Sequence, residues 1–205
     1  MNRKLRILKA KWLLFIGGVI VGVIIILGLR FITYEPERVH YHANFAVYIK
    51  GVKEQFKGFQ YYEETEAACT LEQIESPSER AHMHDSVNDV VHIEDHLVTW
   101  GNFFQNLGWG LGNDYLKAAD KIYTPDKQNK LTFILNGKPI ESMAGQVIQD
   151  RDKLLISYGS ETSARLQEQF KTIPDTANKY DITPDPAGCS GNKKIEPMDR
   201  LKHLF

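Results

Sequence analysis

The chain has 205 residues, 42% of them hydrophobic, which suits one or two domains with a real core and is too short for more. Its 25 Lys and Arg nearly balance 26 Asp and Glu, but six of the basic residues fall within positions 1–30, leaving 19 against 26 beyond them, a net charge of −7. No basic stripe remains there, which argues against nucleic acid as a partner and favours cations.

Trp12 to Leu29, WLLFIGGVIVGVIIILGL, carries no charge over eighteen residues. As a helix it covers about 27 Å at 1.5 Å per residue, near the roughly 30 Å hydrocarbon core of a bilayer. Its glycines and β-branched residues suit lipid better than a helix in water. Arg3, Lys4, Arg6, Lys9 and Lys11 precede it, and the first acid is Glu35. The positive-inside bias therefore predicts a cytoplasmic N-terminus and an exported remainder. The apolar run is longer than that of a cleaved signal peptide, and GLRFITYEP offers no A-x-A-like site, so an uncleaved plasma-membrane anchor through residues 12–29 is expected. Cys69 and Cys189 then both face an oxidising compartment, where a disulfide is expected between them. Closing so long a loop would contribute about 4–5 kcal/mol. The alternative is a pair of free thiols, one serving a metal, although neither cysteine adjoins a histidine.

Residues 38–49, RVHYHANFAVYI, alternate with period two: Val39, Tyr41, Ala43, Phe45, Val47 and Ile49 share one face, and His40, His42, Asn44 and Tyr48 the other. This predicts a half-buried strand, a turn at Lys50-Gly51 and a return strand through VKEQFKGFQYY. Residues 63–79 read as loop with a short helix. The stretch from Val90 to Leu97 reads as a strand that sets His92, Glu94 and His96 on one face; a helix would pair His92 with His96 instead. Thr99 is a candidate N-cap for WGNFFQNLG, whose Trp100, Phe103, Phe104 and Leu107 make an apolar stripe, with Gly108 ending the helix. GWGLGNDYLKAADKIY predicts a Gly-punctuated connection and a short helix.

Residues 130–159 predict strand, Asn136-Gly137 hairpin turn, strand and a last strand through KLLISYG. This segment resembles the closing strands of ubiquitin-like β-grasp folds, without the Gly-Gly end of a carrier. A helix through SARLQEQF, a Pro/Asp/Gly-rich stretch and a short amphipathic MDRLKHLF complete the chain, with His203 reading as a surface or packing residue.

Six of the seven histidines form three pairs, His40/His42, His82/His84 and His92/His96. In extended backbone, residues two apart share a face, so each pair can aim two imidazoles one way. Imidazole is the commonest protein ligand for zinc and copper, and three or four around one point satisfy Zn²⁺. The ligand set read from the sequence is His42, His82, His84 and His92 first, with His40 and His96 behind them. Asp85 and Glu94 stand beside them as further ligands or as carboxylates holding an imidazole by its far N–H. Zinc ranks ahead of copper, on availability against affinity order. A scatter of surface histidines, or a cluster that senses pH, is the plainer alternative.

The motifs H-x-H-x-N-F at His40, H-x-H-D at His82, V-H-I-E at Val91 and T-W-G-x-F-F at Thr99 resemble those of a group of uncharacterised, membrane-anchored bacterial and archaeal proteins. The likeness spans most of residues 38–159, and its matching positions are His40, His42, His82, His84, Asp85, His92 and Glu94. Trp100 replaces a leucine of that pattern, and His96 lies outside it. The resemblance implies a shared site and names no activity. A cupin-like reading from His82 and His84 loses weight at Asp89, where the motif has glutamate, and a zincin reading does so because H-E-x-x-H is not present; both stay open.

The sequence thus predicts an α+β protein: a basic tail and single transmembrane helix over 1–35, then a β-rich extracytoplasmic domain with a few short helices. That domain divides into a histidine-rich region over 36–129, a β-grasp-like segment over 130–160 and a helical and loop tail over 161–205. Its predicted role is to bind zinc or copper. One alternative is a metal-dependent hydrolase with three histidine ligands and Glu94 or Asp85 as general base. Another is a surface interaction module with a structural metal.

Overall fold

The computed structural model describes residues 3–34, 39–62, 77–83, 86–182 and 197–204. His84, Asp85, Cys69 and Cys189 lie outside them, and so does the expected disulfide. In chain order the elements are α1 (Arg3–Thr33), β1 (Tyr41–Ile49), β2 (Val52–Lys53), α2 (Pro77–Arg80), β3 (Ala81–His82), β4 (Val90–Ile93) and α3 (Trp100–Asn106). They continue with β5 (Gly110–Leu111), β6 (Leu116–Ala118), β7 (Lys121–Tyr123), β8 (Lys130–Leu135), β9 (Lys138–Ile140) and β10 (Lys153–Gly159). Three helices follow, α4 (Ser163–Lys171), α5 (Ala177–Ile182) and α6 (Pro197–Lys202). The chain is therefore mixed α and β, with one N-terminal helix and a β-rich remainder. It divides into two compact units, residues 1–37 with 193–205, and residues 38–192.

In the first unit α1 has a 23-residue stretch, Lys11–Thr33, long and apolar enough to cross a membrane, and its most apolar window buries nothing against protein. The last carbonyls of a helix lack intrahelical partners. Here Arg200 supplies them: its Nη1 donates to the carbonyls of Phe31, Ile32 and Tyr34 at 2.7, 2.9 and 3.1 Å. His203 stacks on Tyr34, ring centres 4.9 Å apart, the packing role its sequence position suggested.

The second unit is built on one mixed sheet in the order β3-β4-β1-β10-β8-β9, with β2 also paired to β1. Its two central strands, β1 and β10, run parallel in register from Asn44↔Lys153 to Ile49↔Tyr158. The remaining pairs are antiparallel. Both predicted hairpin turns form, Lys50-Gly51 and Asn136-Gly137, with positive φ at both central residues of each, the geometry that matches strand twist. One face of the sheet packs on α3. Phe45 sits among Phe56, Trp100, Phe103 and Phe104 with ring centres 5.1 to 6.4 Å away. Thr99 caps α3 through a reciprocal pair with Asn102, as its position predicted.

Several expectations need correction. β1 is buried on both faces along Tyr41–Ile49, not half-buried, because the side bearing Ala46 and Tyr48 is covered by Leu166, Phe170 and Ile173. A central strand between sheet neighbours and two layers has no solvent face. The return strand after Gly51 lasts only two residues, since Phe56 adopts φ +44 and Phe59–Tyr61 wind into a 3-10 turn. Residues 110–123 hold no helix; β5, β6 and β7 make a small three-stranded sheet. Its hairpin is closed by Ala119 at φ +50, and Leu116 is buried in the main core, so tertiary burial overrides the helix propensity of LKAA. The strand expected through Leu97 ends at Ile93. Arg80 Nε donates to Asp95 Oδ2 at 2.5 Å and its guanidinium also reaches the His96 carbonyl, clamping a turn in which Leu97 takes φ +57.

Candidate metal centre

Strand register builds the site. His42 on β1 lies opposite His92 on β4, and His92 lies opposite His82 on β3. Residues in register across neighbouring strands point to the same face, so one row of the sheet carries three imidazoles. His40 precedes His42 by two residues and joins the row from the same side. Met83, one step along from His82, falls in the α3-side core instead.

The rings converge. His42 Nε2 and His92 Nδ1 are 2.7 Å apart. Ring centres lie 4.7 Å apart for His42–His92 and for His40–His92, and 5.0 Å for His40–His42 and His82–His92. His40, His42 and His92 each offer a nitrogen within 4.8 Å of the other two, the spread a single ion can draw together. His42 and His92 are 2% and 1% exposed, and the Nε2 of His40 is buried without a hydrogen-bond partner among the described residues.

Two carboxylates stand on the outer sides of these rings. Asp181 Oδ1 is 2.8 Å from His42 Nδ1. Glu94 Oε1 is 3.1 Å from His92 Nε2, an ion-pair distance without hydrogen-bond alignment. Asp181 comes from α5, and α5 is fastened to β1 by Asn44. That amide donates to the Asp89 carbonyl and Thr176 Oγ1 and accepts from the backbone N–H groups of Thr176 and Ala177, capping the helix. Arg151 Nε lies 3.6 Å from Asp181 Oδ2, and its backbone N–H donates to the His42 carbonyl at 2.8 Å. Burial and then the charge of Asp181 push the neighbouring Asp150 carboxyl above its usual range. A narrow pocket lined by His42, Val87, Val90, His92 and Tyr180 adjoins the cluster, with the Tyr180 ring 5.7 Å from that of His42.

Of the residues singled out from sequence, His40, His42 and His92 come together, His82 flanks them, and Glu94 lies behind His92. His96 is exposed in the turn after β4 and does not share their face. Asp89, where a cupin would place its glutamate, has its carboxyl raised by burial, with the charge of Lys53 opposing, and it is absent from the His40, His42 and His92 group. Asp181 and Tyr180 escaped sequence reasoning. They follow His42 by more than 130 residues, in a stretch whose Asp, Asn and Pro content reads as loop. Comparison with protein families, curated proteins and solved structures finds no match for the chain.

Proposed function

We infer that this is a membrane-anchored, extracytoplasmic metal-binding protein that holds a divalent ion on His40, His42 and His92, zinc in preference to copper. The observation that carries this reading is the facing pair His42 Nε2 and His92 Nδ1, 2.7 Å apart. A carboxylate only accepts, so Asp181 draws the proton of His42 to Nδ1 and leaves the Nε2 lone pair pointing inward. His92 Nδ1 then donates to that lone pair in the metal-free protein, with Glu94 standing beside the far nitrogen, ready to accept its proton in a hydrogen bond when Nδ1 ligates. An ion entering the site displaces the proton shared between these two nitrogens, which then move slightly apart to ligate it, and His40 adds a third nitrogen. Carboxylate–histidine–metal arrangements of this kind fix the tautomer and raise ligand basicity. His82, next in the same row, stands in line for a fourth position.

Binding is favoured over hydrolysis because both carboxylates are engaged with imidazoles, where a general base needs a carboxylate poised over an open ligand position. The strand order of the sheet, with its parallel central pair and α3 across one face, supports a β-grasp reading that extends beyond residues 130–160 to include β1 and β4. His40, His42, His92 and Glu94, all part of the histidine-motif resemblance, meet at this one centre, which supports reading the motifs as a single site. The apolar α1 and the basic residues before it support an anchor with a cytoplasmic N-terminus.

The test is elemental analysis of the detergent-purified full chain against a His42→Ala/His92→Ala variant. Stoichiometric zinc in the parent and its loss in the variant are expected. Equal metal in both, or none in the parent after loading with zinc or copper, would overturn the assignment.

A further inference from the structure

Arg200 bonds two carbonyls of α1, Phe31 and Ile32, and that of Tyr34 just beyond it, which holds α6 at that helix end, and α6 presents an apolar face there. Met198 and Leu201, three residues apart and so on one side of the helix, are 62% and 49% exposed. The side chains around them are those that favour the boundary between acyl chains and headgroups. Tyr34 is stacked under His203, Phe31 has the Arg200 guanidinium carbon 6.0 Å from its ring centre, and Arg30 and Lys202 are exposed. The α1 surface leading up to this point is uniformly apolar and exposed, from Trp12 to Leu29 and Ile32.

We propose that α6 is an interfacial helix that docks on the bilayer surface at the end of α1, with Met198 and Leu201 among the outer acyl carbons and Arg30, Arg200 and Lys202 at the level of anionic headgroups. The occupant of its apolar face is lipid. Arg200 ties that face to the end of the apolar surface of α1, and α6 with its neighbour Arg30 carries three cations against one acid of α6, Asp199. A short amphipathic helix with basic rim residues gains from both burial and headgroup charge. In a bilayer the last carbonyls of a spanning helix also leave water behind, so a guanidinium that serves two of them and the next carbonyl eases the end of α1 at the interface. The result is a second membrane contact, made by Pro197–Lys202. It rests on α1 being inserted, and the test separates the two.

The full chain is reconstituted in phosphatidylcholine vesicles, with and without phosphatidylglycerol, made from lipids brominated near the headgroup or near the acyl terminus. The difference in tryptophan emission between the wild type and Trp12→Phe reports on α1. The difference between Trp12→Phe and Trp12→Phe/Leu201→Trp reports on α6, and Met198→Trp repeats the measurement should the first variant misfold. Loss of the position-201 emission, greater with bromine near the headgroup and greater with phosphatidylglycerol present, is the expected result. Quenching at position 12 with none at positions 198 and 201 would overturn the interfacial helix and leave the anchor standing. No quenching at any of the three would remove both.

Discussion

Asn44 joins the fold to the site, and Asn44→Ala tests that joint. Its side chain is 1% exposed and makes four hydrogen bonds: two donated, to the Asp89 carbonyl at 3.2 Å and Thr176 Oγ1 at 3.0 Å, and two accepted, from the amides of Thr176 at 3.2 Å and Ala177 at 3.0 Å. Each such bond contributes about 0.5–1.5 kcal/mol net, and buried partners left without one cost more. The Ala177 amide is buried and Thr176 half-buried, so the expected loss is about 2–4 kcal/mol. A domain with typical stability of about 5–15 kcal/mol survives this folded. The metal centre suffers separately, because α5 delivers Asp181 to His42; loosening that support lowers zinc affinity by roughly 10–100-fold. Urea unfolding followed by tryptophan fluorescence measures the first effect, and competition with a chelator the second. Thr176→Ala, which removes only one acceptor, shows a smaller loss of about 1 kcal/mol. A change below about 0.5 kcal/mol together with unaltered zinc affinity would mean that Asn44 does not hold α5, and the account of how Asp181 is positioned would fall.

Four other outcomes follow from the same geometry. His92→Ala abolishes stoichiometric zinc while His96→Ala leaves it intact; equal effects by elemental analysis would contradict the assigned cluster. Asp181→Asn keeps an acceptor but removes the charge that fixes the His42 tautomer, and weakens zinc binding roughly 10–100-fold in a chelator competition. Zinc at a hundred times its dissociation constant stabilises the wild type by about 2.7 kcal/mol and does nothing for His42→Ala, as read from thermal unfolding with and without the ion. Burial raises the Asp95 carboxyl, but the hydrogen bond from Arg80, the His96 amide and the charge of Arg80 outweigh it and hold Asp95 below the ordinary 3.8. Its stabilising contribution is therefore complete above that value and lost as pH falls through the lowered one, so acid unfolding of Arg80→Ala shows a weaker dependence on pH in that range.

What the sequence disclosed was whatever is written in local pattern. Period-two alternation identified β1 and the face that carries His40 and His42. The Asn136-Gly137 dipeptide identified its hairpin, and Thr99 with the aromatic stripe identified α3. Pairing across the chain carries no such signature. Nothing near His42 says that His92 will lie opposite it, and nothing in ANKYDI announces a helix or a carboxylate for the site. Two of the misreadings share one cause. Leu97 and Ala119 look ordinary in sequence but take left-handed backbone where a turn is imposed from outside, by the Arg80–Asp95 clamp in one case and by the burial of Leu116 in the other. Covering layers are equally silent: the second face of β1 reads as polar until α4 and α5 are folded against it.

Residue order also sets a timetable for the centre. Synthesis releases His40 and His42 first, His92 about fifty residues later, and Asp181 about ninety residues after that, while β10, the parallel neighbour of β1, starts at Lys153. Early imidazoles are thus left without their aligning strand and their orienting carboxylate until residues 153–181 have been made. On the proposed reading, capture of an ion waits until the chain has been made as far as Asp181.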